Sequence, residues 1–205
     1  MGMLILIFIL FFLIFLMTVT LHEVAHGYVA YLRGDDTANR AGRLTLNPLK
    51  HIDWFWTILF PLGLLLATGG RFALGMAKPV PVNFRNLRNP RLDMVLVAVA
   101  GPIANFIFAW LLAAWYHASG FFPLLYGIYL NLGLAWFNLI PIPPLDGSRI
   151  LRAAVPNQLG RMMDQIEPYG FLIVLALYMT GFLFQLIIPV INFCAHLLNI
   201  QGLGL

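Results

Sequence analysis

An apolar run over residues 3–32 constrains the fold of this chain more than any other feature. About 20 apolar residues are enough to cross the hydrocarbon core of a membrane as an α-helix, so the run predicts a membrane span. Near its C-terminal end it contains His22, Glu23 and His26. Ionisable side chains in a membrane helix are energetically costly and generally mark a functional site. The run therefore predicts a membrane helix built around a polar centre.

The spacing of these three residues predicts a metal site. Residues four apart lie on the same face of an α-helix, so His22 and His26 can bind one metal ion. Glu23 is rotated by about 100° from His22, which places it beside the metal without requiring it to be a ligand. His-Glu-x-x-His is the spacing of zinc proteases, in which the histidines bind zinc and the glutamate handles the protons of the attacking water.

The composition identifies lipid as the surrounding solvent. The chain has 205 residues, of which 61% are hydrophobic and 10% are charged, whereas an ordinary soluble domain has about 25% charged residues. The net charge of +4 predicts loops that face anionic headgroups, and no clustered basic and aromatic surface suggests nucleic acid. The single Cys194 excludes an intramolecular disulfide and reads as a small buried residue. Residues 1–16 lack the features of a cleaved signal peptide, so we expect a retained span.

We predict an all-α integral membrane bundle with about four full transmembrane helices. A short re-entrant segment, or a pair of short membrane segments, is expected to accompany them, with a small irregular or β element on the cytoplasmic side. The predicted parts of this single polytopic domain, residues 1–205, are a helix with the two histidines (3–33), a membrane-dipping segment (54–82), two helices (92–117 and 121–140), a broken segment with Asp146 (138–147), and a last helix (169–189) with an apolar tail.

Basic residues predict the orientation of the bundle. Arg33, Arg40, Arg43 and Lys50 follow the first helix, and such residues concentrate in cytoplasmic loops. The first helix therefore runs inward, with the N-terminus outside and the active site opening towards the cytoplasm. His26 precedes Arg33 by seven residues, or roughly 10 Å at the helical rise, so the metal would lie just below the membrane surface. A compact chain of this kind fits a prokaryotic plasma membrane.

Residues 54–82 are apolar but are flanked on both sides by basic residues, so the chain must enter the membrane and return to the same side. A re-entrant helix with an extended return satisfies this requirement, as do two short crossings. Irregular backbone at membrane depth is tolerated only where protein or a water-filled cavity shields it. We therefore expect residues 72–82 to border the catalytic cavity. Residues 40–46 could form a short strand or hairpin.

A catalytic zinc ion generally has three protein ligands, so the two histidines need a third partner. Asp146 lies in a proline-broken segment that the topology returns to the membrane face of His26. The other acidic candidates have simpler roles in loops, at the start of a helix or in the cytoplasmic connection: Asp35, Asp36, Asp53, Asp93, Asp164 and Glu167. Asp146 is therefore the best candidate for the third ligand.

Three motifs together resemble the site-2 protease family of intramembrane zinc metalloproteases, over about residues 18–155. They are His22-Glu23-x-x-His26, Gly101-Pro102-x-x-Asn105 and Asn138-x-x-Pro141-x-Pro143-Pro144-Leu145-Asp146-Gly147. The resemblance implies that His22, His26 and Asp146 bind one zinc ion per chain, and that Glu23 is the catalytic base. It also implies that Asn138 helps to hold the substrate strand. Family members often have a helix before the one with the histidines, whereas this sequence starts with it, and no PDZ or CBS module is seen.

The predicted reaction is hydrolysis of a peptide bond within or next to a transmembrane segment of a membrane protein substrate. Because a helical substrate must unwind first, residues 77–82 could pair with it as an added strand. Asn105 could either bridge helices or support the substrate, and His51 could assist the metal or simply lie at the interface. The alternative function is a metal-binding membrane transporter or a catalytically silent regulator, because transporters also place His and Asp at broken helices. A transporter would use Glu23 as a ligand or proton relay, whereas a protease needs it off the metal.

Overall fold

The computed structural model of the chain describes residues 2–71, 75 and 77–200, and all regular structure in these residues is helical. The helices in chain order are α1 (Gly2–Leu32), α2 (Thr37–Arg40), α3 (Phe60–Ala67), α4 (Pro90–Ser119), α5 (Leu124–Asn138), α6 (Asp146–Ala154), α7 (Asn157–Ile166), α8 (Gly170–Met179) and α9 (Phe182–Leu197). The predicted all-α architecture is confirmed for this part of the chain.

Fewer helices are long enough to cross a membrane than the sequence suggested. Two of the described helices are long and apolar enough to cross a membrane, Ile9–Leu32 and Pro90–Ser119. A third span results if a bent helix pair counts as one. The expected helix over 121–140 is the shorter α5, which has 15 residues. At 1.5 Å per residue it is about 22 Å long, which is less than the roughly 30 Å of a hydrocarbon core. The structure therefore supports an integral membrane protein with two or three spans in the described residues, where about four were expected.

The predicted last helix over 169–189 is wrong as a continuous helix. The chain leaves α8 at Met179 and begins α9 at Phe182, and the two arms are bent by 76°. Gly181 between them has a φ of +77°. Glycine adopts this left-handed backbone without the steric cost that a side chain would add, so a helix ends there readily.

Residues 41–47 form turns and bends, and the described residues contain no strand at the expected position 40–46. The irregular alternative for this element is the one observed. Asn47 caps a single helical turn at Pro48–Lys50 by accepting a hydrogen bond from Leu49 N. The loop between α1 and the membrane-dipping segment is therefore held by local caps.

The membrane-dipping segment is a helix followed by a return. A π-helical stretch, Trp54–Leu59, leads into α3, and residues 77–83 come back without helical structure. Lys78 N donates to His51 O at 3.0 Å, so the two ends of the segment meet. This shape corresponds to the re-entrant alternative, and its depth in a membrane stays a prediction. Residues 72–74 and 76, which were expected to border the cavity, lie outside the described residues.

The long helix α4 lies at the centre of the bundle, where it packs against α1, α5 and α6, while α5 also packs against α9. Close approach of α5 depends on Gly127, since a Cβ there would lie 2.9 Å from Ile14 Cγ2 and 3.0 Å from Leu112 Cδ1. The main buried core consists of Ile14, Ala109, Leu112, Ala113, Leu124, Leu125, Ile128, Tyr129, Leu132, Ile140, Leu145, Val174, Leu183, Ile187, Ile191, Ala195 and Ile200. This packing brings the C-terminal half of α1 and the start of α6 to opposite sides of one site beside α4.

Candidate metal centre

Two helices bring the three predicted metal ligands together. His22 and His26 lie one turn apart on α1, and Asp146 is the first residue of α6. The two Nε2 atoms are 3.0 Å apart, and Asp146 Oδ2 lies 3.3 Å from His22 Nε2 and 3.2 Å from His26 Nε2. One ligand atom from each residue falls within 4.8 Å of the others, and both imidazoles are buried. The described residues contain no other group of this kind.

The hydrogen bonds of the imidazoles show that the converging atoms carry lone pairs. His26 Nδ1 lies 2.7 Å from the carbonyl oxygen of Val97, which only accepts, so Nδ1 is the donor. His22 Nδ1 lies 2.6 Å from Asn105 Oδ1, which also accepts. In a neutral imidazole the second nitrogen is then an acceptor. Both Nε2 atoms therefore present lone pairs towards each other and towards a carboxylate.

Three acceptors facing one another repel unless a cation or protons lie between them. Asp146 Oδ2 is fully buried and has no hydrogen-bond donor among the described residues. A buried acceptor without a partner costs free energy, and a bound cation removes that cost for all three atoms. Two imidazoles and one carboxylate are a ligand set that zinc accepts, with a remaining position for water or substrate. The residues present therefore fit a catalytic zinc ion.

Two glycines give the site its room. A Cβ on Gly101 of α4 would lie 2.4 Å from His26 Nε2 and 2.7 Å from His22 Nε2, so only glycine lets α4 pass behind the imidazoles. A Cβ on Gly147 would lie 2.1 Å from Leu139 O, so the first turn of α6 rests directly on the backbone that ends α5. This backbone contact fixes where Asp146 begins its helix.

Glu23 lies next to the metal group but is not part of it. Its Oε2 accepts a hydrogen bond of 2.7 Å from the backbone N–H of Val80, which belongs to the extended return of the membrane-dipping segment. The second carboxylate oxygen, Oε1, has no such bond among the described residues. The arrangement leaves one oxygen of Glu23 for chemistry and fixes the other.

A buried polar network behind His22 was only partly foreseen. Asn105 Nδ2 donates to Thr18 O at 3.3 Å and to Asn131 Oδ1 at 3.1 Å. Asn131 Nδ2 donates to Thr18 Oγ1 and to Gly127 O, both at 2.9 Å. The carbonyl partners fix the orientation of both amides, so Asn105 Oδ1 must face His22. Thr18, Asn105 and Asn131 are completely buried, which supports a role for Asn105 in orienting the ligand rather than in contacting substrate.

Sequence reasoning missed Asn131 and Thr18. Both are polar residues within strongly apolar helices, and that signal could have revealed them, whereas Asn105 was singled out by the Gly101-Pro102-x-x-Asn105 motif. Val97 and Val80 contribute only backbone atoms, so no side-chain pattern could have revealed them.

The remaining two candidates are bonded to nearby backbone. Asn138 at the end of α5 donates from Nδ2 to Leu134 O at 2.9 Å, within its own helix, and its contact with substrate stays a prediction. His51 is buried, with Nε2 at 2.9 Å from Thr45 O, and is outside the metal group. The backbone oxygen of His51 accepts a hydrogen bond from Lys78 N, so His51 stabilises the start of the return segment.

Asn105→Ala is expected to weaken zinc binding by about 10- to 100-fold, the usual effect of removing a partner that orients a ligand. The change frees the His22 ring to rotate and to exchange its tautomer. The measurement is competition for zinc with a chelator, accompanied by the thermal unfolding midpoint. Asn131→Ala is the matched control, because it removes a buried amide of the same network that does not contact His22 and should lower zinc affinity less. Equal zinc affinity in Asn105→Ala and the wild type would contradict this role.

Comparisons with known proteins identify relatives of this chain. The model of peptidase family M50 matches residues 10–122 and 114–181. The chain is 44% identical over 189 residues to "Putative zinc metalloprotease YwhC" of Bacillus subtilis, covering 84% of this chain and 81% of that protein. It is 33% identical over 181 residues to "Putative zinc metalloprotease Rip2" of Mycolicibacterium smegmatis, covering 85% of this chain and 68% of that protein. No solved structure matches the chain.

A more distant archaeal relative has the same kind of name. The chain is 32% identical over 160 residues to "Zinc metalloprotease MJ0392" of Methanocaldococcus jannaschii, covering 74% of this chain and 36% of that protein. These matches confirm the predicted enzyme class, a metalloprotease, and the predicted zinc cofactor. The chain belongs to peptidase family M50, in agreement with its resemblance to the site-2 proteases.

Proposed function

We propose that this protein hydrolyses a peptide bond within or next to a transmembrane segment of a membrane protein substrate, with zinc held by His22, His26 and Asp146. The observation that carries the proposal is the position of Glu23, which directly follows His22 on α1, is not one of the three converging ligands, and accepts a hydrogen bond from Val80 N–H. A protease needs this glutamate off the metal as a base, whereas a metal transporter would use it as a ligand. The site also lies in a candidate membrane span, Ile9–Leu32.

The chemistry divides between the metal and Glu23. When bound, zinc polarises the scissile carbonyl and makes a water acidic enough to attack at neutral pH. Glu23 accepts the proton that the attacking water gives up as its oxygen bonds to the carbonyl carbon. Glu23 then passes a proton to the amide nitrogen as the C–N bond breaks, so the products are a carboxylic acid and an amine. The burial of His22 and His26 keeps bulk water from the site.

The unwound substrate needs hydrogen-bond partners, and residues 77–82 stay the predicted pairing strand. Lys78 N and Val80 N already donate to the protein, and Pro79 and Pro81 have no N–H. Pairing would therefore rest on backbone oxygens of this segment and on N–H groups outside residues 78–81. Asn138, at the end of α5, is the proposed side-chain contribution to holding the substrate strand.

The basic residues support an orientation with this end of the bundle in the cytoplasm. Arg88 N donates to Arg33 O at 3.1 Å, and Arg149 lies over the ring of Phe84 at 5.4 Å. Basic residues from the loop after α1, from the loop before α4 and from α6 thus lie at one end of the bundle, as expected for the cytoplasmic side of a membrane protein. The bacterial and archaeal origin of the named relatives supports a prokaryotic plasma membrane.

The test compares purified wild type with Glu23→Gln on a tagged substrate that has one transmembrane segment, with zinc content measured for both. We expect Glu23→Gln to keep about one zinc per chain and to lose cleavage by about 10²- to 10⁴-fold, the usual contribution of a general base. Gln is nearly isosteric and still offers an oxygen to Val80 N–H, so the fold is retained.

Two results would overturn the proposal. Cleavage by Glu23→Gln at the wild-type rate would remove Glu23 from the chemistry. Failure of both proteins to cleave any member of a broad panel of transmembrane substrates, while both bind zinc, would favour the transporter or the silent regulator. Zinc flux into liposomes would then separate those two functions.

A further inference from the structure

Residues 78–81, which we call the strap, have few backbone hydrogen-bond donors. Their sequence is Lys78-Pro79-Val80-Pro81, so two of the four positions have no backbone N–H. Within residues 79–81 the only N–H is that of Val80, and it donates to Glu23 Oε2 at 2.7 Å. The partners are separated by 57 residues in the chain. The prolines on either side leave no neighbouring N–H that could replace this donor.

The strap is tied to the protein on the side of Lys78. The Arg43 guanidinium donates from Nη2 to Lys78 O at 2.7 Å and to Pro79 O at 3.4 Å. Lys78 N in turn donates to His51 O at 3.0 Å. Arg43 and His51 are both buried, at 9% and 1% exposure, so these ties are shielded from competing water. The position of Val80 N–H is therefore set by the loop that follows α1.

Close contact with α1 fixes the distance between the strap and Glu23. Gly27 lies one turn after Glu23, and a Cβ on it would be 2.7 Å from Val80 Cγ1 and 2.7 Å from Leu44 Cδ2. The absence of a side chain at Gly27 lets Val80, which is 7% exposed, sit directly against the helix. Any larger residue at position 27 must push the strap or Leu44 away.

We propose that the backbone N–H of Val80 is a positioning group that holds Glu23 in its catalytic orientation, and that the strap exists to present this donor. A glutamate side chain has three rotatable bonds, and ordering it costs free energy that must come from a fixed partner. A hydrogen bond from N–H to a carboxylate is charge-assisted, so it is strong enough to select one rotamer. Fixing Oε2 directs Oε1 towards the attacking water before substrate arrives. The inference rests on the proposed role of Glu23 as the base.

The main test removes the backbone N–H at position 80 by substituting proline for Val80. Residues before a proline favour extended backbone, and extended backbone with φ of about −65° is also what proline itself adopts. Val80→Pro therefore deletes the donor, whereas Val80→Ala keeps it and shortens the side chain. We expect Val80→Pro to lower kcat by about 10- to 100-fold, as when an outer partner of a reacting group is lost, with unchanged KM and zinc content. For Val80→Ala, the decrease in kcat should be less than a tenth as large.

A comparison of two substrates distinguishes positioning of Glu23 from pairing of the strap with substrate. The assay uses both a transmembrane substrate and an unstructured fluorogenic peptide, which needs no unwinding and no added strand. Positioning of Glu23 lowers kcat for both substrates by the same factor. If the strap acts only by pairing with substrate, Val80→Pro raises KM for the transmembrane substrate alone, and the inference is wrong.

A rescue experiment tests the same contact from the helix side. Gly27→Ala should lower kcat because its Cβ displaces Val80, and adding Val80→Ala and Leu44→Ala should recover activity because both colliding groups, Val80 Cγ1 and Leu44 Cδ2, are then gone. Failure of these two added changes to recover kcat would contradict the inference. Wild-type kcat in Val80→Pro, with activity still lost in Glu23→Gln, would overturn the inference and leave the proposed function intact. Activity in Glu23→Gln would instead overturn the proposed function.

Discussion

Asp146→Asn is expected to abolish zinc binding while the fold is retained. The two Nε2 atoms near Oδ2 are acceptors, and the wild-type site is satisfied only when a cation lies among them. An asparagine amide can turn its NH2 towards these acceptors, because it has two donors and nearly the same shape. The variant site then satisfies itself by hydrogen bonding and no longer needs a cation. The loss in kcat/KM should be on the order of 10⁴-fold, as for a member of a catalytic group that acts as a unit.

The measurement is zinc content by metal analysis after dialysis, with the thermal unfolding midpoint and the cleavage rate of the same samples. The matched control is Asp164→Asn, which removes a carboxylate of the same size whose ion pair with Arg152 joins α7 to α6 and which is outside the metal group. The control should keep its zinc. Full zinc content in Asp146→Asn would show that the third ligand is another residue.

Gly101→Ala is the second large effect expected. Alanine in a helix interior normally stabilises by about 1 kcal/mol relative to glycine, so secondary structure alone predicts a gain. Here the new Cβ would lie 2.4 Å from His26 Nε2 and 2.6 Å from His22 Cε1, far inside van der Waals contact. Both imidazoles must turn away, and each would lose its Nδ1 bond as well as its place at the metal. We expect zinc content and cleavage to fall together, with the loss of cleavage on the order of 10³-fold or more.

The control for this change is Gly133→Ala on α5, where the nearest atom to a new Cβ is Ile191 Cδ1 at 3.5 Å, an ordinary contact. That variant should bind zinc like the wild type. Near-stoichiometric zinc in Gly101→Ala would mean that α4 can move away from α1 at this point. The comparison separates the steric effect at the imidazoles from the general effect of adding a methyl group to an apolar helix.

Much of the site followed from local pattern. His22, Glu23 and His26 lie on one helix, where the spacing of four residues alone decides which side chains share a face. Asp146 stood out because its charge directly follows a proline-rich break between apolar segments, where a carboxylate is costly unless it has a partner. The long helices α1 and α4 were found within a few residues, since an apolar run of this length has no stable alternative to a helix in lipid.

The shapes of the later helices did not follow from pattern. The residues of α8 and α9 are apolar on both sides of the bend at Gly181. Hydropathy reports which residues prefer lipid and carries no information on the direction of the backbone, so the bend could not be predicted from it. Likewise α5 is as apolar as a span but is shorter than predicted, because it begins at Leu124 after Pro123 and ends at Asn138 before the proline-rich segment. A short apolar helix that is buried against neighbours and one that faces lipid have the same composition.

The sequence by itself determined the metal-binding pattern of α1 and the membrane environment, because both depend on residue type and near spacing. Only the tertiary structure decided how these groups are held. Asn105 reaches His22 across 83 residues, Asn131 reaches Asn105 across 26, and Val80 reaches Glu23 across 57. These contacts depend on helix packing and, for Val80, on a backbone N–H that every non-proline residue possesses. A backbone donor becomes specific only through its position, which is why the tie between the strap and Glu23 appears in the folded protein alone.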